Sequence, residues 1–265
     1  PRGKRKSFKA FKKPRGQRLI LKIVRERPMQ TIPILELGII FIPTAYLLVV
    51  MFRWQLKAFT GLYANVRMLV QLLLVGYFLT YVFETNQPLV VVLLIALMIV
   101  VSAWIALRSS EDKSAKTYFI FLIAIGFPGL ILLGLVTQFV LQVQKWFEPS
   151  LVVPIAGMIF ANSMNTVSLA AERFESEFNR GEDYVDARRI ALDASLIPQI
   201  NSLFAVGLVA LPGMMTGQIL SGVDPIIAVR YQIMVMWMTF GSGGLAAVLY
   251  LVLRIRSVKH KGTEC

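Results

Sequence analysis

The sequence predicts an all-α polytopic membrane protein, with about seven transmembrane helices and a charged cytoplasmic loop between the fifth and the sixth. Two observations carry this. Of 265 residues, 56% are hydrophobic and only 16% are charged, and the mean hydropathy is +0.66. A soluble protein of this size shows more polar surface to water. The apolar residues also gather in charge-free windows. The longest, residues 194–223, holds no charge although it contains the helix-breaking pair Pro212-Gly213, and a soluble core helix is rarely that long without one.

A helix needs roughly 20 apolar residues to cross the hydrocarbon. Windows of that kind lie at 32–51, 68–83, 88–107, 118–141, 150–170, 198–221 and 231–253. The first contains Glu36, Pro33 and Pro43. The second is short, but Gly76, Tyr77, Tyr81 and Phe83 suit a span that ends at an interface.

Basic residues set the orientation. Fourteen of them, among them Arg53, Lys57, Arg108, Lys113, Arg173, Arg188, Arg189 and Arg254, fall in one set of alternating loops and the C-terminal segment, against Lys145 and Arg230 in the other. The first set is expected in the cytoplasm, as is a short tail at 257–265. Seven spans then put the N-terminus outside, in conflict with the twelve basic residues of segment 1–28, opposed only by Glu26. Three readings stay open: an extension upstream of a native start at Met29, a cytoplasmic basic arm beside a re-entrant first span, or an exported tail. The first is favoured, because the segment has no apolar periodicity, and it leaves residues 29–256 as the membrane domain.

The chain shows no chemistry of its own. One cysteine, Cys265, and one histidine, His260, exclude a disulfide framework or a His/Cys zinc cluster within the sequence. There is no H-E-x-x-H, G-x-S-x-G or G-x-x-x-x-G-K-[ST]. No catalytic residue and no bound cofactor is expected, and uphill movement of a solute would need ATP and Mg on another chain.

The loop at 172–194, "ERFESEFNRGEDYVDARRIALDA", is where another chain would act. Phe174, Phe178, Val185, Ala187, Ile190, Ala191 and Ala194 recur mostly at helical spacing, and Gly181 divides the loop into two short helices. An apolar helical stripe either enters a groove on a partner or lies on the headgroups. The acids that precede Asp186 favour the protein groove.

The stretches "VPIAGMIFANSMN" from Val153, "SLIPQINSLFAVGLVALPGMMTGQILSGVDP" from Ser195 and "VRYQIMVMW" from Val229 resemble the FetB (YbbM) family of ABC-transporter membrane subunits. That family includes bacterial iron exporters and plant aluminium-tolerance permeases, and the similarity runs over residues 35–256. The resemblance implies a homodimeric permease of the bacterial cytoplasmic membrane that pairs with a FetA-like ATPase. Its members have been linked to iron, to aluminium tolerance and to sugar nucleotides. The loop departs from the family at Phe178-Asn-Arg-Gly181. Phe178, Gly181, Tyr184 and Arg188 are the expected ATPase contacts.

Inside the spans, Pro154, Gly157, Pro212 and Gly213 are candidate helix breaks or gates, with close helix packing as the competing reading. Polar amides at membrane depth need partners. Asn162, Ser163 and Asn165, together with Asn201 and Glu36, offer either oxygen ligands to a passing cation or helix-to-helix hydrogen bonds, the latter favoured. Met214 and Met215 join this candidate metal pathway, although methionine more often simply packs. Asp224 before Pro225 reads as a turn. The mechanism expected is alternating access driven by the ATPase, and an organic substrate or a non-transport scaffold remain the rivals.

Overall fold

The computed structural model describes residues 33–84 and 87–261, so segment 1–28 lies outside the described residues. Among the described residues the regular structure is helical: α1 Ile34–Arg53, α2 Ala58–Glu84, α3 Pro88–Leu107, α4 Ala115–Gly134 with a π-helical continuation Leu135–Val140, α5 Pro149–Asn179, α6 Tyr184–Ala205, α7 Gly213–Leu220 and α8 Pro225–Lys261. Six of these, all but α6 and α7, are long and apolar enough to cross a membrane. Helices are the expected outcome, because lipid offers no hydrogen-bond partner to an open backbone.

The expected fold class holds, with three differences of detail. α2 begins ten residues before the charge-free window at 68–83, since Arg67 does not interrupt a helix that merely starts in the headgroup region. α5 runs past the window at 150–170 to Asn179. The proposed sixth span is not one helix: α6 ends at Ala205, Gly207 turns the chain at φ +85°, and α7 starts only after Pro212. The sequence placed that break at Pro212-Gly213, whereas it opens at Gly207. Proline disfavours helix in the residue before it, and Pro212 itself, extended at φ −61° and ψ 145°, caps α7. The turn is closed by Val209 N–H and Ala210 N–H donating to Ala205 O, and by Gly207 N–H donating to Ala210 O.

The chain divides into two compact units. Among the described residues, one holds 33–70 and 212–229, that is α1, the start of α2, α7 and the first residues of α8. The other holds the described residues of 71–211 and 230–261 and contains the buried core seen among them. There α5 is central: it packs on α3, α4 and α6, and Ala156, Ile159, Phe160, Val167, Ala170 and Phe174 are buried along it. Gly243 lets α8 approach α5 closely. A Cβ on Gly243 would lie 2.7 Å from Asn162 Nδ2 and 2.6 Å from Thr166 Oγ1, so the α5–α8 contact requires glycine there.

Gly243→Ala is therefore expected to push α8 off α5 and lower stability by about 1–3 kcal/mol. The check is thermal unfolding in detergent, with Gly134→Ala, where an added Cβ meets nothing within 4 Å, as the control that leaves the midpoint nearly unchanged.

Candidate functional site

The loop expected at 172–194 is a hairpin formed by the ends of two long helices, not two short helices as the spacing suggested. α5 closes in a Schellman turn: Gly181 N–H donates to Phe178 O, Glu182 N–H donates to Glu177 O, and Gly181 stands at φ +97°. α6 then opens on Asp183, whose Oδ1 accepts from Asp186 N–H at 2.7 Å. A left-handed glycine followed two residues later by a capping aspartate fixes the hairpin locally. Phe174 stacks on Phe178 with ring centroids 5.7 Å apart, and Tyr184 meets Phe174 edge-on at 5.8 Å. Arg188 lies over the Tyr184 ring at 5.5 Å.

The four expected contact residues are thus brought together but face different ways. Phe178 is at the margin of exposure at 36%, and Val185 is exposed at 57%. Tyr184 instead turns inward and donates its hydroxyl to Leu251 O of α8 at 2.6 Å.

Behind the hairpin lies a buried ion cluster that sequence reading missed. Arg254 of α8 donates to Glu175 Oε1 of α5 at 3.2 Å, to Asp112 Oδ2 at 3.4 Å and to Thr117 Oγ1 at 3.0 Å. Glu175 accepts further from Ser110 Oγ at 2.5 Å and from Glu111 N–H at 2.6 Å. One carboxylate therefore joins the α3–α4 connection, α5 and α8. Ser114 caps the start of α4, its Oγ accepting from Thr117 N–H, and Asp112 braces that cap by accepting from Thr117 Oγ1 at 2.7 Å and from Ser114 N–H at 3.0 Å. The Thr117 hydroxyl, more than any other group, holds the Asp112 carboxyl well below its usual 3.8, with smaller help from Ser114 and Arg254 and against the opposing effect of burial. Glu177, also buried, receives Arg173 at 2.9 Å and Arg180 at 3.3 Å.

At membrane depth the same unit holds a polar layer. Asn162 donates to Thr239 O of α8 at 2.6 Å and accepts from Gln199 of α6 at 2.5 Å. Gln199 also donates to Thr166 at 3.1 Å. Both ends of the Asn162 amide thus bond helix to helix. Ser163 is fully buried, and its hydroxyl has no hydrogen-bond partner. Asn165 and Asn201 are exposed on this single chain, as is Pro154. Gly157 lets Met98 come within ordinary contact of where a Cβ would be, 3.4 Å.

Glu36 is exposed in the first turn of α1. Pro212 and Gly213 begin α7, and Met214 and Met215 follow in its first turn, Met214 37% exposed. These five belong to the other compact unit. Among the described residues no group of three or more His, Cys, Asp or Glu is arranged to hold a metal ion.

Comparison with known proteins gives this geometry its context. Residues 34–258 match the model of the uncharacterised protein family UPF0014. The chain belongs to that family. It is 34% identical over 217 residues to "UPF0014 membrane protein slr1647" of Synechocystis, covering 76% of this chain and 84% of the relative. It is 33% identical over 205 residues to "Probable iron export permease protein FetB" of Escherichia coli, covering 72% and 78%. It is 26% identical over 206 residues to "Protein ALUMINUM SENSITIVE 3" of Arabidopsis thaliana, covering 71% and 72%. No solved structure matches. This UPF0014 protein is accordingly an integral membrane protein, and one of its relatives is named as a permease.

Two outcomes follow from the ion cluster. Arg254→Met strands two acids and is expected to lower stability by about 3 kcal/mol, whereas Glu175→Gln combined with Arg254→Met loses less than the sum of the single changes. Chemical unfolding of the four proteins in detergent measures that coupling. Because the Asp112 carboxyl is depressed, its contribution is complete at neutral pH and falls only as the pH drops below about 4 toward the folded value. An Asp112→Asn protein should lose that part of the acid dependence.

Proposed function

We propose that this protein is the membrane-spanning permease subunit of an ABC transporter that exports metal ions, iron foremost, with ATP hydrolysed by a separate FetA-like ATPase. The observation that carries the reading is the α5–α6 hairpin. Its tip offers apolar Phe178 and Val185 outward, while Tyr184 bonds to α8 and Glu175 bonds to α8 and the α3–α4 connection. A partner seated on that tip would move several helices together. The Escherichia coli relative, named as a probable iron export permease, supports the substrate class.

In this reading the hairpin and the C-terminal end of α8 face the cytoplasm of a bacterial inner membrane, because the basic residues concentrate on that side. The subunit works as a homodimer. Asn165 on α5 and Asn201 on α6 are exposed on one chain, and an amide at membrane depth needs either a protein partner or water. A second copy facing α5 and α6, with a wet pathway between the copies, supplies both. ATPase closure then shifts the pathway between inward and outward states by favouring one of two packings.

Gentle purification of the tagged protein from native cells is the primary test, and an ATPase is expected to accompany it. Phe178→Glu should then cut metal efflux and lipid-reconstituted ATP hydrolysis at least tenfold while insertion is unchanged. Pro212→Ala should alter efflux more than folding. Normal efflux by Phe178→Glu would remove the hairpin from the mechanism, and purification without any ATPase, under conditions that keep other membrane complexes intact, would overturn the transporter reading.

A further inference from the structure

The α1–α2 turn holds a cavity that the transport reading does not use. It measures about 230 Å³ and is lined by Leu48, Val49 and Phe52 of α1 and by Ala58, Phe59 and Leu62 of α2. Its walls are apolar throughout. Phe52 and Phe59 meet edge-on across the turn at 6.5 Å, and one helical turn further in the helices nearly touch, since a Cβ on Gly61 would lie 3.1 Å from Leu48. The cavity is therefore a slot between two membrane-spanning helices, closed by close packing on one side and open on the other.

Its rim has the opposite character. Arg53 ends α1 and Lys57 directly precedes α2; both are exposed, and neither forms a salt bridge among the described residues. No acid occurs anywhere in residues 37–83. Charged residues at the ends of spans sit at headgroup level, in whichever leaflet the turn faces. Trp54 beside them is 73% exposed, as an interfacial anchor would be.

We infer that this turn binds an anionic phospholipid, with one acyl chain in the slot and the phosphate between Arg53 and Lys57. The chemistry favours this occupant over a second copy of the chain. Two such hairpins face to face would bring four cations together with no acid of the segment to offset them. An acyl chain alone would fill the slot but leave both cations without an anion. The inference is independent of the transported substrate and of any ATPase.

The test uses the full-length protein in detergent micelles containing equimolar phosphatidylglycerol and phosphatidylcholine, with bound lipid counted by native mass spectrometry. Phosphatidylglycerol should be retained over phosphatidylcholine by about tenfold, and R53Q/K57Q should bring that ratio to within about twofold. K116Q/R189Q, which removes two exposed charges elsewhere, should leave it unchanged. Ala58→Phe, which fills the slot, should lower retention at an unaltered melting temperature. Should that variant fail to fold, the R53Q/K57Q comparison still decides, because both side chains are exposed. Equal retention of the two lipids, an unchanged ratio in R53Q/K57Q, or a lipid-free dimer that R53Q/K57Q strengthens would each overturn the assignment.

Discussion

A polar group in hydrocarbon has to find its partner inside the protein, and most features of this chain follow from that constraint. It makes the six candidate spans helical, so that each backbone donor and acceptor is satisfied within its own segment. It draws Asn162, Gln199, Thr166 and Thr239 into one layer across α5, α6 and α8. It also shapes the interruption after Ala205, where the freed N–H groups of Gly207, Val209 and Ala210 bond locally rather than stay open. The break is thus a closed turn and not a frayed helix end.

The same constraint is more severe for charge. Arg254 is about nine-tenths buried, and so is Glu175, and the desolvation of either alone would exceed what a single hydrogen bond returns. Each therefore has several partners: Glu175 accepts from Ser110, Glu111 and Arg254, and Arg254 reaches Thr117 and Asp112 as well. A buried pair of this kind adds little net stability over apolar residues of like volume, yet separating the segments that carry it would strand a buried charge on each. Here those segments are the α3–α4 connection, the end of α5 and the end of α8. The hairpin is consequently held to the bundle at Glu175 and at Tyr184, which lie on opposite sides of its turn.

What could be read in advance divides along the same line between local and long-range causes. The α3 boundaries, Pro88–Leu107, coincide with a charge-free window because a proline begins the helix and Arg108 follows it. Gly181 was recognisable as a divider because a left-handed turn favours glycine wherever it occurs. The extension of α5 past Ala170 was not legible, since a charged stretch beyond the bilayer looks the same as a loop until its neighbours are known. Asn162 stood out as an amide in an apolar span, but the choice of Gln199 and Thr239 as partners depended on register across 37 and 77 residues. The Arg254–Glu175 pair spans 79 residues. Its only trace was a basic residue at the end of the last span and acids in the hairpin, a pattern shared by many unpaired surfaces.

The two faces of α5 differ in a way that bears on the proposed transport reading. One face is sealed: Ala156, Phe160, Val167 and Phe174 are buried, and Gly243 brings α8 against Asn162 and Thr166 with no space to spare. The other face, through Pro154, Asn165 and Glu172, is exposed on the single chain, and within the bilayer it carries Asn165, an amide that lipid would not satisfy. A helix sealed on one side moves with its neighbours as a body, because a close-packed core resists gradual deformation and instead shifts between discrete packings. A helix unsatisfied on the other side exchanges one polar partner for another with little change in free energy. In the proposed transport reading, those two properties would let the displacement of α5 be set from its end, the hairpin.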